Sequence, residues 1–72
     1  MPMRLDEILR KIRKELNISQ EQFARDLNVS FTTLNRWENS RTTPSRLAKM
    51  RIIDYCNEKG ISKEIIAALE QA

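Results

Sequence analysis

The sequence contains no histidine, one cysteine (Cys56), one glycine (Gly60) and two prolines. Without histidine, a general base would have to be a carboxylate or a lysine, and neither a paired-carboxylate motif nor a glycine-rich phosphate loop is present. We therefore do not expect an enzyme. Since histidine and cysteine supply most zinc ligands, we expect neither a metal site nor a cofactor.

Long apolar runs are also missing, and none approaches the roughly 20 residues that a membrane span needs. A lone cysteine cannot form an internal disulfide and suits a reducing compartment. These two features predict a cytoplasmic protein that does not enter a membrane. The 72 residues leave room for one domain with one hydrophobic core, so residues 1–72 are taken as a single domain.

Helix-forming residues dominate what remains, and the scarcity of glycine and proline favours an all-α domain. The first of five expected helices runs from about Arg4 to Leu16, because its apolar residues recur at intervals of three and four. The members of that apolar face are Leu5, Ile8, Leu9, Ile12 and Leu16. The core is expected to comprise residues 5–56, followed by a short C-terminal helix at residues 61–71.

The helix boundaries are marked by residues suited to caps. Ser19, with Gln22 three positions on, forms a capping box for the second helix, and Ser30 caps the third. We expect Thr43 to cap the fourth helix, with Pro44 in its first position. The other expected boundary residues are the stop at Gly60 and the cap at Ser62 of the fifth helix.

Only Asn28 and Val29 separate the second helix from the third. Asparagine tolerates the left-handed backbone that so short a connection requires. The resulting helix-turn-helix lets the third helix project from the body and enter a DNA major groove, which is about 12 Å wide.

The run over residues 19–39 resembles the phage repressor/Cro-type family, also called the xenobiotic-response-element type. Part of this resemblance lies in Leu34, Trp37 and Glu38, near the end of the third helix. The resemblance covers about residues 5–56 and implies a lambda-repressor-like fold with the helix-turn-helix at helices 2–3. Asn28 and Ser40 stand where the family most often has glycine.

Glu38 falls on the inward side of the third helix, where an unpaired carboxylate is costly. Arg13 lies at the margin of the apolar face of the first helix and is within reach of Glu38. The family resemblance implies the same pair. We therefore expect an Arg13–Glu38 ion pair with a structural role.

The opposite side of the third helix carries short polar groups and one arginine. At about 100° per residue, this side lies opposite Leu34 and Trp37. The predicted base contacts are Phe31, Thr32, Asn35 and Arg36. Arg36 is suited to guanine, and Phe31 either meets a thymine methyl or packs against the first turn.

Positive charge is concentrated next to this helix, since residues 30–51 contain five basic side chains and one acidic one. Backbone amides at helix starts, hydroxyls and an arginine are suited to phosphate. The predicted phosphate contacts are Ser19, Gln20, Ser30, Asn39, Arg41 and Thr43.

The fourth helix is apolar on most of its circumference, which is typical of a central helix or of one that faces a partner. Two interpretations stay open: a homodimer through helices 4–5, or one complete five-helix core without a dimer.

Together these features predict a sequence-specific, duplex-DNA-binding transcriptional regulator that acts as a repressor. Its expected partner is double-stranded DNA, and no site for a small-molecule effector is evident. The alternative is a helix-turn-helix module used for protein–protein interaction, such as an antitoxin-like partner. Strong, salt-sensitive binding to random duplex DNA would distinguish the first from the second.

Overall fold

A computed structural model describes residues 3–72 of the chain. These residues form five α-helices and no strand: α1 (Leu5–Leu16), α2 (Gln20–Leu27), α3 (Phe31–Glu38), α4 (Arg46–Lys59) and α5 (Lys63–Gln71). α1 packs against α3 and α5, α2 packs against α3 and α4, and α4 packs against α5. The prediction of an all-α fold with a helix-turn-helix at its second and third helices is confirmed.

All five helices contribute to one hydrophobic core. Its largest fully buried side chains are Phe23, Ile8, Leu9, Ile12, Leu34, Ile52, Leu69 and Cys56. Burial raises the pKa of the Cys56 thiol to about 11. The thiol is therefore protonated at neutral pH and serves as a small apolar core group.

Serine hydroxyls cap the N-termini of three of the helices. Ser19, Ser30 and Ser45 accept the backbone N–H of the residue three positions on, at distances of 3.0, 3.0 and 3.1 Å. Each bond satisfies one of the amides that a helix start leaves without a partner.

The prediction for the start of α4 was wrong. Ser45, and not Thr43, is the cap, and the helix begins at Arg46 after Pro44. Thr43 and Ser45 both carry a hydroxyl, so either residue could cap the helix by its side-chain chemistry alone. The Ser45 hydroxyl is the one that reaches a free amide, that of Ala48.

The capping box of α2 is also only half formed. The Ser19 hydroxyl accepts from the Gln22 amide as expected. The Gln22 side chain, however, donates to Asp26 Oδ1 at 2.7 Å instead of reaching back to Ser19. In a capping box the Gln22 oxygen would accept from the Ser19 N–H. Here the Gln22 amide instead donates to a charged carboxylate, which gives a stronger bond than one between neutral groups.

Tight turns end the helices around the helix-turn-helix. Asn17, Asn28 and Ser40 adopt positive φ values of 55°, 59° and 59°. After α3, the N–H groups of Ser40 and Arg41 donate to the carbonyls of Trp37 and Arg36 at 3.3 and 2.9 Å. Ser40 thus takes the left-handed position that favours glycine, and the last carbonyls of α3 are satisfied.

Tyr55 joins α4 to α2. Its hydroxyl donates to Asp26 Oδ2 at 2.8 Å, and its ring lies 5.6 Å from that of Phe23. The Tyr55 hydrogen bond is the main cause that lowers the pKa of Asp26, with a smaller contribution from Gln22. Burial, followed by the Asp26 hydrogen bond, raises the pKa of Tyr55.

This bond makes stability depend on pH. The folded-state pKa of Asp26 lies below its ordinary value of 3.8, so its stabilisation is fully present above that value and is lost as the pH falls through the folded pKa. We expect Tyr55→Phe to lower the free energy of unfolding at pH 7 by about 1 kcal/mol, the usual net worth of such a bond. Urea titrations at pH 7 and at about pH 2 should show the difference between the two proteins shrinking in acid. An equal difference at both pH values would mean that the contribution of the bond does not depend on the charge of Asp26, and no difference at pH 7 would mean that the bond does not contribute.

Candidate nucleic-acid interface

The inward side of α3 fixes how this helix lies on the body. Leu34 is fully buried, Trp37 nearly so, and Glu38 is only 2% exposed. Leu34 and Trp37 belong to the hydrophobic core that α1, α2 and α4 share. A helix held by large side chains on one side cannot turn about its own axis without losing that burial.

The opposite side of α3 is open to solvent. Thr32 and Arg36 are exposed, and the Phe31 side chain is 49% exposed at the first position of the helix. Three of the four predicted base-contact residues are therefore accessible: Thr32 and Arg36 on this side, and Phe31 at its edge at the start of the helix. We call this surface, made by Phe31, Thr32, Asn35 and Arg36, the outer face of α3.

Asn35 differs from the other three residues of the outer face. It is half-buried, and its amide nitrogen donates to Gln20 Oε1 of α2 at 3.3 Å. Gln20 had been expected to contact phosphate, and no sequence pattern indicates that the two side chains meet.

Glu38 is held by a two-pronged ion pair. Arg13 Nε donates to Glu38 Oε2 at 2.9 Å, and Arg13 Nη2 donates to Oε1 at 2.8 Å. The Arg13 side chain is one quarter exposed, while the Glu38 side chain is almost fully buried. This geometry matches the planar fork of arginine to both carboxylate oxygens and joins the last turn of α1 to the last residue of α3.

A second polar contact between α1 and α3 was not predicted. Arg10 Nη1 donates to the backbone carbonyl of Glu38 at 3.3 Å, and its Nη2 lies 3.5 Å from Asp6 Oδ2. Asp6 is buried and also pairs with Arg4 at 3.2 Å. Asp6, Arg10 and Arg13 follow the i, i+4, i+7 spacing of one helical face, which is the sequence signal that would have revealed this cluster.

Opposing effects act on the Asp6 carboxyl. Burial by itself raises its pKa, but a hydrogen bond from Ser40 and the charges of Arg4 and Arg10 outweigh that effect. The net result is a lowered pKa. Asp6 is therefore ionised at neutral pH and pairs with Arg4 and Arg10 at the start of α1.

The six predicted phosphate-contact residues divide into two kinds. Arg41 and Thr43 are exposed after the end of α3. The other four take part in hydrogen bonds within the protein: Ser19, Gln20, Ser30 and Asn39. Ser30, for example, accepts from the Thr33 amide and donates its own proton to Thr33 Oγ1 at 2.8 Å.

The exposed charge next to α3 is positive. The only acidic residue between positions 30 and 51 is Glu38, which is buried and neutralised by Arg13. The basic side chains of the same stretch are exposed, apart from the half-buried Lys49: Arg36, Arg41, Arg46, Lys49 and Arg51. This surface attracts polyanions.

Comparison with known proteins agrees with this arrangement. Residues 9–57 match the family described as helix-turn-helix. The chain belongs to the Cro/C1-type helix-turn-helix family. As a member of this family it is a DNA-binding helix-turn-helix regulator. No curated protein and no solved structure gave a match. Within residues 3–72, every helix is too short or too polar to cross a membrane.

The ion pair leads to a stability prediction. Arg13→Met leaves the Glu38 carboxylate buried without its partner, so we expect the free energy of unfolding to fall by about 3 kcal/mol or more. Replacing both residues, as in Arg13→Met with Glu38→Met, removes the unpaired charge and should cost less than the single change. Urea unfolding followed by circular dichroism measures both effects. A double variant as unstable as the sum of the two single variants would show that the pair is not coupled.

Proposed function

We propose that this regulator binds duplex DNA sequence-specifically by inserting the outer face of α3 into the major groove, and that it represses transcription by occupying its site. The observation that supports this most directly is the two-sided character of α3. Large apolar side chains and a neutralised glutamate fix its inner side, while Thr32 and Arg36 are exposed on its outer side. A protein that represses by occupying its DNA site needs no activity besides binding.

Arg36 is proposed to recognise guanine, because its guanidinium can donate to O6 and N7 together. Thr32 carries both a hydroxyl for a base edge and a methyl that suits the methyl of thymine. Phe31 is proposed to meet a thymine methyl, in keeping with its half-exposed ring. Asn35, which is half-buried, is proposed to contact a base edge in the same groove.

Phosphate contacts are proposed to surround these base contacts. The residues are Ser19, Gln20, Ser30, Asn39, Arg41 and Thr43. At the start of α2 the backbone amides and the helix dipole favour an anion. Arg41 contributes a full charge on the exposed turn after α3.

Two substitutions separate the two kinds of contact. We expect Arg36→Ala to cost about 1–3 kcal/mol on the preferred site and to relax the preference at one base position. Arg41→Ala should weaken binding to all sequences by a similar factor and reduce the salt slope by about one. Fluorescence anisotropy at several salt concentrations, combined with selection from a random duplex pool, measures both effects.

Lys63→Ala on α5 serves as the control for a general loss of charge, since Lys63 is exposed on a helix outside the helix-turn-helix. If the wild-type protein shows no salt-sensitive binding to random duplex DNA, the DNA-reading proposal is wrong. The protein–protein interaction module is then the better interpretation.

A second proposal concerns assembly, and an exposed apolar patch on α4 supports it. Leu47 and Met50 are 70% and 54% exposed, whereas α5 covers another side of the core with Ile65 and Leu69. Leu47 borders a groove of about 180 Å³ between α2, α3 and α4. The other residues lining it are Leu27, Val29, Trp37, Ser45, Ala48, Arg51 and Ile52.

Charge along α4 suits a second copy of the chain. Exposed Arg46 and Arg51 lie in its first half, and exposed Asp54 and Glu58 lie in its second half, which ends at Lys59. In an antiparallel, two-fold contact between two α4 helices, these halves would face groups of opposite sign. We therefore propose a homodimer through α4, with two α3 helices about 34 Å apart on a palindromic site.

Leu47→Glu tests the dimer. A charge in the middle of the apolar patch should raise the dimer dissociation constant at least about tenfold, because a buried unpaired carboxylate is costly. Ala67→Glu, which adds the same charge at an exposed position of α5, should leave it unchanged. Sedimentation velocity at micromolar concentrations, with and without DNA, measures association. A wild-type protein that stays monomeric in both conditions would overturn the dimer proposal.

A further inference from the structure

A cavity of about 740 Å³ lies between the start of α1, the turn that follows α3 and the first turn of α4. Its volume is in the range of small-molecule sites, roughly 300–1,000 Å³. None of the residues of the outer face of α3 lines it, and neither do Leu47 and Met50 of the α4 patch. No such site was evident in the sequence, because the lining comes from segments that lie far apart in the chain.

Most of the cavity lining is apolar. Met3, Leu5 and Pro44 contribute half-buried side chains, and Trp37 contributes the edge of the hydrophobic core. An apolar molecule that covers these groups removes their surface from water, which favours binding.

The charged groups around the cavity are mostly basic: Arg4, Arg46 and Lys49 against Asp6. The Asp6 carboxylate is buried and already paired with arginine, so it does not offset the other charges. Lys49 donates a hydrogen bond to the backbone oxygen of Ala72. Arg46 is exposed and forms no ion pair within residues 3–72, so its guanidinium is the cation most open to a ligand.

We propose that this cavity binds a small organic acid, with an apolar body and one carboxylate, and that the bound acid lowers the affinity for DNA. The apolar lining covers the body of the ligand. Arg46 donates to the carboxylate, because a planar guanidinium matches both carboxylate oxygens. A neutral apolar molecule would leave the basic groups unused, and inorganic phosphate would leave the apolar lining uncovered.

The turn after α3 connects the cavity to the proposed DNA contacts. Ser40, Thr42 and Thr43 line the cavity from this turn, and Arg41 and Thr43 are proposed to contact phosphate. A bound carboxylate would add negative charge beside these contacts and repel the DNA backbone. The regulatory part of the proposal therefore rests on the proposed function, whereas the ligand site does not.

Trp37 provides a direct measure of occupancy, because it lines the cavity and is the only tryptophan of the chain. Octanoate serves as the probe, and octanol, with the same chain but no charge, is its control. We expect octanoate to change the Trp37 fluorescence and the indole N–H signal of a ¹⁵N-labelled sample saturably. The dissociation constant should lie below about 1 mM. Octanol should bind about tenfold more weakly, because it lacks the charge-assisted hydrogen bonds.

Two arginine variants test the carboxylate contact. Arg46→Ala should weaken octanoate binding about fivefold or more and leave octanol binding unchanged. Arg51→Ala is the matched control, because Arg51 is also an exposed arginine of α4 but does not line the cavity. It should bind octanoate as the wild type does.

Several outcomes would overturn the ligand site. Octanoate that causes no saturable change at Trp37 would do so. Equal affinities for octanoate and octanol, or an Arg46→Ala protein that binds octanoate as tightly as the wild type, would contradict the assignment of an acid. A Trp37 signal that changes on dilution of the protein alone would indicate a second copy of the chain in the cavity instead.

Fluorescence anisotropy with labelled duplex DNA tests the regulatory part. Saturating octanoate should lower the DNA affinity of the wild type at least about fivefold, a usual size for coupling between two sites. Sodium acetate at the same concentration controls for the added salt and should have a smaller effect. Unchanged DNA affinity at saturating octanoate would overturn the regulatory part. A wild type that binds no DNA without octanoate would instead contradict the proposed function, while the Trp37 titration still decides the ligand site.

Discussion

The arrangement of the helix-turn-helix depends on the buried carboxylate of Glu38. A charge that is 2% exposed is tolerated only with a well-placed partner, and Arg13 supplies two hydrogen bonds from the neighbouring helix. The pair forms only at one distance and one rotation between α1 and α3. With Leu34 and Trp37 buried on the same side, that rotation is the one that leaves Thr32 and Arg36 in solvent.

The same ion pair also shapes the electrostatics of the surface. Because Arg13 neutralises Glu38 inside the protein, this glutamate does not offset the arginines around α3. Asp6 is likewise held between Arg4 and Arg10 on the α1 side, and the Arg10 side chain reaches the last carbonyl of α3. Carboxylates that would repel DNA are thus used to fasten the helix that carries the proposed base contacts.

The sequence was sufficient for several features that depend on neighbours in the chain. Hydroxyl caps at Ser19 and Ser30, the left-handed turn at Asn28 and the inward direction of Leu34 all follow from local spacing, and the structure shows each of them. The start of α4 was misplaced because two hydroxyl residues two positions apart satisfy the same rule. The exposed part of α4 was not predictable, because a helix that is apolar on most sides has no periodicity from which a buried face can be derived.

Side-chain contacts between residues far apart in the sequence could not be predicted from local sequence patterns, for a different reason. Gln20 and Asn35 are 15 positions apart, and either one alone looks like an ordinary surface amide. Only the close approach of α2 and α3 places them together. A donor or acceptor that is already paired inside the protein is not available to DNA. The same hydrogen bond, however, removes rotational freedom from the side chain before binding. The outer face therefore combines two kinds of group: Asn35, which neighbouring amides hold in place, and exposed Arg36, whose long side chain can still adjust to the base that it is proposed to contact.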